Sequence, residues 1–258
     1  MTVSELIYKL DMIYKITKPT DLLANFVESF WMLESEIDQD KEVVILPDGR
    51  IDIIFAWSEK EPLHVMLMEL DRESAIAALS AGTTMFAVSF KLLALEYILD
   101  IDFVNLNRPL ILPNDFWGVN ANDLKNFDSF VSRCTKSVLD ALGTQVVDTR
   151  KKKLFELIYE INGAMSVATL SEKSCWTARQ INRYFNERVG ISLKKYCDIL
   201  RFRASFTDLK EGRLFPRVEF FDQAHFIKSI KKLSGVTPRQ LSKNQNDRFI
   251  QLSTLLRE

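Results

Sequence analysis

Two kinds of hydrophobic pattern divide this chain near Thr149, and no other feature constrains its fold more. From Phe26 to Phe90 short apolar runs (FVESFWML, EVVIL, IDIIFAW, LHVMLMEL, AIAALSAG, TTMFAVSF) are broken by turn signals. Their β-branched and aromatic content favours strands. The stretch VVILPDGRIDIIF sets Asp48-Gly49 between two such runs, which predicts a hairpin because glycine enters positive φ without steric cost. After Thr149 the strand-like runs stop. Short segments follow closely, each with Ser, Thr or Asp before it or Gly after it: KKKLFELIYEIN, SVATLSEKSC, TARQINRYFNERV, SLKKYCDILRFRASFTDLKE and DQAHFIKSIKKLS. Those are helix start and stop signals. The fold expected is α+β: a small antiparallel β-barrel or sandwich with helices, then an all-α domain.

Between the two parts, KLLALEYIL reads as a partly buried helix, and residues 105–118 are rich in turn formers. Leu124, Phe127, Val131, Cys134, Val138 and Leu142 then recur at spacings of three and four, one apolar stripe on a helix that Gly143 ends. The stripe serves either dimerisation or packing on the β domain. The organisation expected is a β-rich regulatory domain over 1–120, a linker helix over 121–149 and a helical domain over 150–258. No repeat of fixed period stands out along the chain.

Charge follows the same division. Residues 1–149 carry 12 Lys+Arg against 24 Asp+Glu, and residues 150–258 carry 22 against 11. An asymmetry of this size predicts that the second part meets a polyanion, and it allows the acidic front to dock on the basic back in competition. Three cysteines, Cys134, Cys175 and Cys197, form no close pair, which fits a reducing compartment. The start, MTVSELIYKLDMIYKI, mixes charge into its apolar positions, unlike a signal peptide, and no stretch reaches the roughly 18 uncharged apolar residues of a membrane span. A cytoplasmic protein without a membrane partner is expected.

The helix over 177–189 shows what the polyanion would be. Thr177 and Gln180 form a Thr-x-x-Gln capping box, and Ile181, Phe185 and Val189 face inward. Outward stand Arg179, Gln180, Asn182, Arg183 and Asn186, side-chain types that reach guanine O6/N7 or adenine N6/N7 in a major groove wide enough for one helix. SVATLSEKSC before it would be the first helix of a helix-turn-helix. A second basic helix over 222–233 is capped by Asp222 and ended by Gly235, with Phe226 and Ile230 inward and Gln223, Ala224, His225 and Lys228 elsewhere.

Two such helices about 45 residues apart, joined by a long apolar-striped helix, resemble the carboxy-terminal module of the AraC/XylS family of bacterial transcription regulators. Over Met165 to Leu241 the resemblance rests on Arg179, Arg183, Phe185, Gly190, Tyr196, Arg201, Phe220, Asp222-Gln223, His225-Phe226, Lys231, Gly235, Thr237 and Pro238. SFWML, LPDGRIDIIF and FAVSFKLLALEYIL look like an amino-terminal domain fused to some members. The resemblance implies two helix-turn-helix units in adjacent major grooves of double-stranded DNA. Base contacts would come from Arg179, Asn182 and Arg183, then from Gln223, Ala224, His225 and Lys228, although His225 equally fits a place packed beside Phe226. It also implies RNA polymerase as a partner if the chain activates. Two departures stand out: Cys175 occupies a turn position where the family has glycine, and RLFPRVE between Gly212 and Phe220 is too short, and at Pro216 too rigid, for the usual scaffold helix.

Other chemistries find less support. No nucleophile elbow or phosphate-binding loop is visible, so neither an enzyme nor a bound cofactor is expected. The front half holds one histidine, His64, too few for a multi-histidine metal site. Asp48, Arg50 and Asp52 are accounted for by the turn and an alternating strand. Trp31, Trp57, Phe55, Phe86 and Phe90 would line an apolar pocket for a small-molecule effector, or else form core.

Overall fold

The structure, a computed structural model, describes residues 4–9, 12–101, 104, 108–214 and 222–255, and for 4–9 the backbone alone. Nine strands occur among them: β1 (Ser4–Lys9), β2 (Met12–Thr17), β3 (Val27–Ser35), β4 (Lys41–Ile45), β5 (Ile51–Trp57), β6 (His64–Leu67), β7 (Ala75–Leu79), β8 (Thr84–Phe90) and β9 (Leu110–Leu112). The helices are α1 (Ala94–Tyr97), α2 (Phe127–Leu142), α3 (Thr149–Glu160), α4 (Val167–Ser174), α5 (Ala178–Tyr184), α6 (Leu193–Ala204), α7 (Phe206–Lys210), α8 (Gln223–Ser234), α9 (Pro238–Lys243) and α10 (Ile250–Ser253). The chain is α+β, with an antiparallel sheet in the front half and helices behind. None of these helices is long and apolar enough to cross a membrane.

Seven strands make one sheet in the order β1-β2-β3-β8-β5-β6-β9, so among the described residues it ends on two edges and does not close into a barrel. Its centre is β8, buried on both faces, which explains why TTMFAVSF reads as a continuous apolar run. Cross-strand register places Met32, Phe86 and Phe55 in one row and Phe30, Val88 and Ile53 in the next. Helix α2 lies on this face: the Phe130 ring is 5.6 Å from Phe55 and 5.2 Å from Phe86, both edge-on. The stripe is therefore spent on the sheet. Its register differs from the expected one, because Phe130 is fully buried while Val131 and Leu142 are half-buried, and Leu124 sits in a separate turn before the helix. Asn126 sets that start by accepting the Asp128 and Ser129 N–H groups.

The five aromatic residues expected around one pocket fall apart in the fold. Phe55, Phe86 and Phe90 are core, and Trp57 stacks on Phe86 at 5.6 Å. Trp31 pairs with Ala87 on the other face, where its Nε1–H donates to Ser89 Oγ at 3.0 Å and Ser89 in turn donates to Asp52. At the β3 bulge Glu28 meets Arg50 (2.8 Å), Lys18 (2.6 Å) and Lys91 (3.5 Å). Burial pushes the Glu28 carboxyl up, but the three cations outweigh it and hold its pKa at about 2. Arg50 and Asp52 thus serve separate contacts. His64 is half-buried on β6 with Nδ1 3.0 Å from the Pro62 carbonyl. Among the described residues no group of three or more His, Cys, Asp or Glu is placed to hold a metal ion.

The expected hairpin at Asp48-Gly49 does not form. β4 pairs with β7 in a separate two-stranded sheet, while β5 pairs with β8 and β6. Gly49 does use the positive φ, +79°, but to lay its backbone on α6, where an added Cβ would stand 2.9 Å from Leu200 Cδ2. The local turn signal was real, and tertiary packing gave it another use.

The residues form two compact units interleaved along the sequence: Met1–Lys41, Arg50–Glu69 and Leu79–Lys152 in one, and Glu42–Gly49, Leu70–Ala78 and Lys153–Glu258 in the other. The helical unit thus includes two segments from the front half. Val43, Val44, Leu46, Pro47 and Gly49 are buried. The Gln251 side-chain amide pairs with the Leu46 backbone in both directions, at 2.9 and 3.0 Å. The Val44 N–H donates to the Arg248 carbonyl at 2.7 Å.

Candidate nucleic-acid interface

Helix α4 begins at Ser166, whose hydroxyl accepts the Thr169 N–H at 3.1 Å, and ends at Cys175. Cys175 adopts the left-handed conformation itself, φ 53° and ψ 36°, and is exposed, so the turn accommodates a side chain in a conformation that favours glycine. Two residues on, Thr177 and Gln180 form the expected capping box. The Gln180 N–H reaches Thr177 Oγ1 at 3.3 Å and the Thr177 N–H reaches Gln180 Oε1 at 3.0 Å. Helix α5 continues through Phe185–Val189 as a wider π-turn that closes with Gly190 N–H on the Phe185 carbonyl, 3.0 Å. Ile181, Tyr184, Phe185 and Val189 are buried. Phe185 packs 5.9 Å from Phe155 of α3 and 5.7 Å from Tyr196 of α6.

Arg179, Asn182, Arg183 and Asn186 point outward and are exposed. Gln180 is half-buried, with its side-chain oxygen committed to the cap. The Asn182 amide donates back to the Ala178 carbonyl at 2.9 Å, and Arg183 lies 3.8 Å from Glu187 one turn on. The geometry therefore leaves Arg179, Arg183 and Asn186 as the side chains best able to extend from this surface.

Helix α8 is capped by Asp222, which accepts the His225 N–H at 2.7 Å. Phe226, Ile230, Leu233 and Ser234 are buried, while Gln223, Ala224, His225 and Lys228 are exposed. Of the two places open to the His225 side chain, the structure takes the outward one. Lys231 and Lys232 are exposed as well and extend the basic side of α8 toward its end. Phe220, Pro216 and most of the shortened segment before α8 lie outside the described residues.

At an offset of 45 residues the two helices share their caps, an inner buried pair and a glycine stop, while the last turn differs, Gly190 N–H closing on the carbonyl five residues back and Gly235 N–H on the one four back. Caps Thr177 and Asp222 each accept the N–H three residues on. Buried Ile181 and Phe185 correspond to Phe226 and Ile230. Gly190 and Gly235 both take left-handed φ, 74° and 75°, a conformation that costs a side-chain-bearing residue roughly 1–2 kcal/mol. Ser192 and Thr237 then cap the next helices, α6 and α9, through the Lys195 and Gln240 N–H groups. This repeat is absent from the letters: between 177–192 and 222–237 the glycine is the one identical residue. What repeats is cap, buried pair, left-handed stop and second cap. On the outer side, Arg183 and Asn186 correspond to Lys228 and Lys231, so both copies present cations where the buried pair does not reach.

Residues 15–110 match a family described as a domain of unknown function, DUF6597, which covers 96 of the 258 residues. No curated protein matches the chain. Among solved structures it is similar to ToxT from Vibrio cholerae O395, with a TM-score of 0.42 and 12% identity over 94% of this chain and 96% of that one. It is also similar to the unsaturated fatty acid bound ToxT of Vibrio cholerae strain SCE256, at 0.40 and 13% over 96% of each chain. At these scores and identities the likeness assigns no function.

Proposed function

We propose that this chain is a sequence-specific DNA-binding transcriptional regulator of the AraC/XylS type, reading adjacent major grooves with the helices that begin at Thr177 and Asp222. The observation that carries the reading is the 45-residue structural repeat: two capped helices with the same buried pair and the same left-handed stop, each turning exposed polar and cationic side chains outward. A single solvated helix with arginines outside would be unremarkable. Two of the same kind on one compact unit match what a bipartite duplex site calls for. The excess of 22 Lys+Arg over 11 Asp+Glu in 150–258 supplies phosphate contacts for affinity and register, and Arg179, Arg183, Asn186 and the start of α8 choose bases.

The test compares Arg183→Ala with Lys231→Ala on a selected duplex and on random DNA. Arg183→Ala should cost roughly 1–3 kcal/mol on the selected duplex and relax discrimination at one position. Lys231→Ala should weaken both duplexes alike and lower the salt slope by about 1. Equal losses on both duplexes for Arg183→Ala would remove base reading from that helix.

A further inference from the structure

Two segments from the front half belong to the helical unit: one packs on α6, whose Tyr196 ring meets the continuation of α5, and the other ends on α8. The first is Glu42–Gly49. The Tyr196 hydroxyl donates to the Gly49 carbonyl at 3.0 Å, so the Tyr159 hydroxyl, 2.9 Å away, must donate to Tyr196. Tyr196 is wholly buried, and its ring packs on Phe185 in the π-turn that continues α5. The second is Leu70–Ala78. There the Ser74 N–H donates to the Leu233 carbonyl at 3.0 Å, satisfying a backbone acceptor at the end of α8, and Ser74 Oγ lies beside Gly235. Helix α6 packs on α8 and follows α5 in the chain, so both segments hold one connected set of helices.

Both also leave the sheet from neighbouring points. The Met68 N–H donates to the Asp52 carbonyl at 2.8 Å. The first segment joins the sheet at Arg50, two residues before Asp52, and the second leaves it just after Met68. The Asp52 carboxylate receives the Ser89 hydroxyl, which itself receives Trp31 Nε1–H. The chain thus passes from one corner of the sheet into two straps, the first packed on α6 and the second on α8.

We propose that Glu42–Gly49, acting through Tyr196 of α6, and Leu70–Ala78, acting directly on α8, form a two-point clamp that holds α5 and α8 at the spacing needed to bind DNA. The clamp's role in DNA binding rests on the reading given under Proposed function; the clamp itself rests on the contacts above. Docked straps are the binding-competent state, and loosening either one lowers affinity without unfolding the helices.

The full chain and its Tyr196→Phe and Ser74→Pro variants test this by amide hydrogen exchange and by binding to a selected duplex. Tyr196→Phe keeps the ring and removes the bond to Gly49; Ser74→Pro removes the N–H that meets Leu233. Exchange should quicken over Phe185–Gly190 in the first and over Leu233–Val236 in the second, with far-ultraviolet circular dichroism unchanged. Each should bind the duplex about tenfold more weakly, the size expected when a buried hydrogen bond is lost. Unchanged exchange in both variants would overturn the clamp, and quickened exchange with unchanged affinity would overturn its role in DNA binding. If Ser74→Pro does not fold, Tyr196→Phe decides alone. A wild-type chain that binds no duplex defeats the DNA reading, and the exchange results still decide the clamp.

Discussion

Cys175 and Glu28 are held in place by opposite kinds of cost. Cys175 stands in the left-handed region, φ 53°, with its side chain exposed, so nothing packed around it repays the conformation. Relief of that conformation is worth about 1–2 kcal/mol, and the extra freedom glycine gives the unfolded chain costs about 0.4–1. Relief wins: Cys175→Gly should stabilise the protein by about 0.5–1 kcal/mol in urea unfolding. Glu28 is a buried carboxylate made tolerable by three cations, with its pKa lowered from 4.5 to about 2. A lowered folded-state value adds stability above the unfolded value and loses it as pH falls through the folded one. Stability should therefore drop by roughly 2–3 kcal/mol between pH 5 and pH 2, and Glu28→Gln should remove that dependence while destabilising the neutral protein. Acid titrations of both chains check it.

At the scale of elements, the helix caps carry the repeated unit. Thr177→Ala and Asp222→Ala should each cost about 1 kcal/mol of stability, measurable as a lowered denaturation midpoint. Caps and stops were legible in the sequence because they are local: a hydroxyl or carboxylate three residues before a bare N–H, and a glycine where φ turns positive. The outward side of the helix at Thr177 was legible for the same reason. The equivalence of the two helices was not, because Ile181 exchanges with Phe226 and Phe185 with Ile230, which preserves buried volume while erasing identity. Nor was the loss of the Asn182 amide to Ala178, since donor and acceptor compete only once the helix exists, whereas the Thr-x-x-Gln box already committed Gln180 to its cap. Strands were legible as runs but not as pairs. Asp48-Gly49 signalled a turn, and only the burial of Val43, Val44 and Leu46 in the helical unit decides that β4 pairs with β7 and not with β5. On α2, spacing pointed to Val131, whereas the sheet selects Phe130, whose ring meets both Phe55 and Phe86. Phe130→Ala should cost about 3–5 kcal/mol.

For the whole molecule, the division by chemistry near Thr149 is not the division by packing. Helices from 153 onward are completed by Glu42–Gly49 and Leu70–Ala78. Burial of Val43, Val44 and Leu46 at roughly 1.5–3 kcal/mol each is comparable with the net stability of an ordinary domain, about 5–15 kcal/mol. A fragment of residues 150–258 should therefore unfold without a sharp transition, or at markedly lower denaturant than the full chain. DNA binding is accordingly a property to measure on the intact protein. The most direct measurement is selection of bound sequences from random duplexes by the full chain, repeated with Arg183→Ala and with Lys228→Ala. The account predicts a bipartite motif with halves about 10 base pairs apart, one weakened by the first substitution and the other by the second. Recovery of no enriched sequence, or of one motif indifferent to both substitutions, would contradict it.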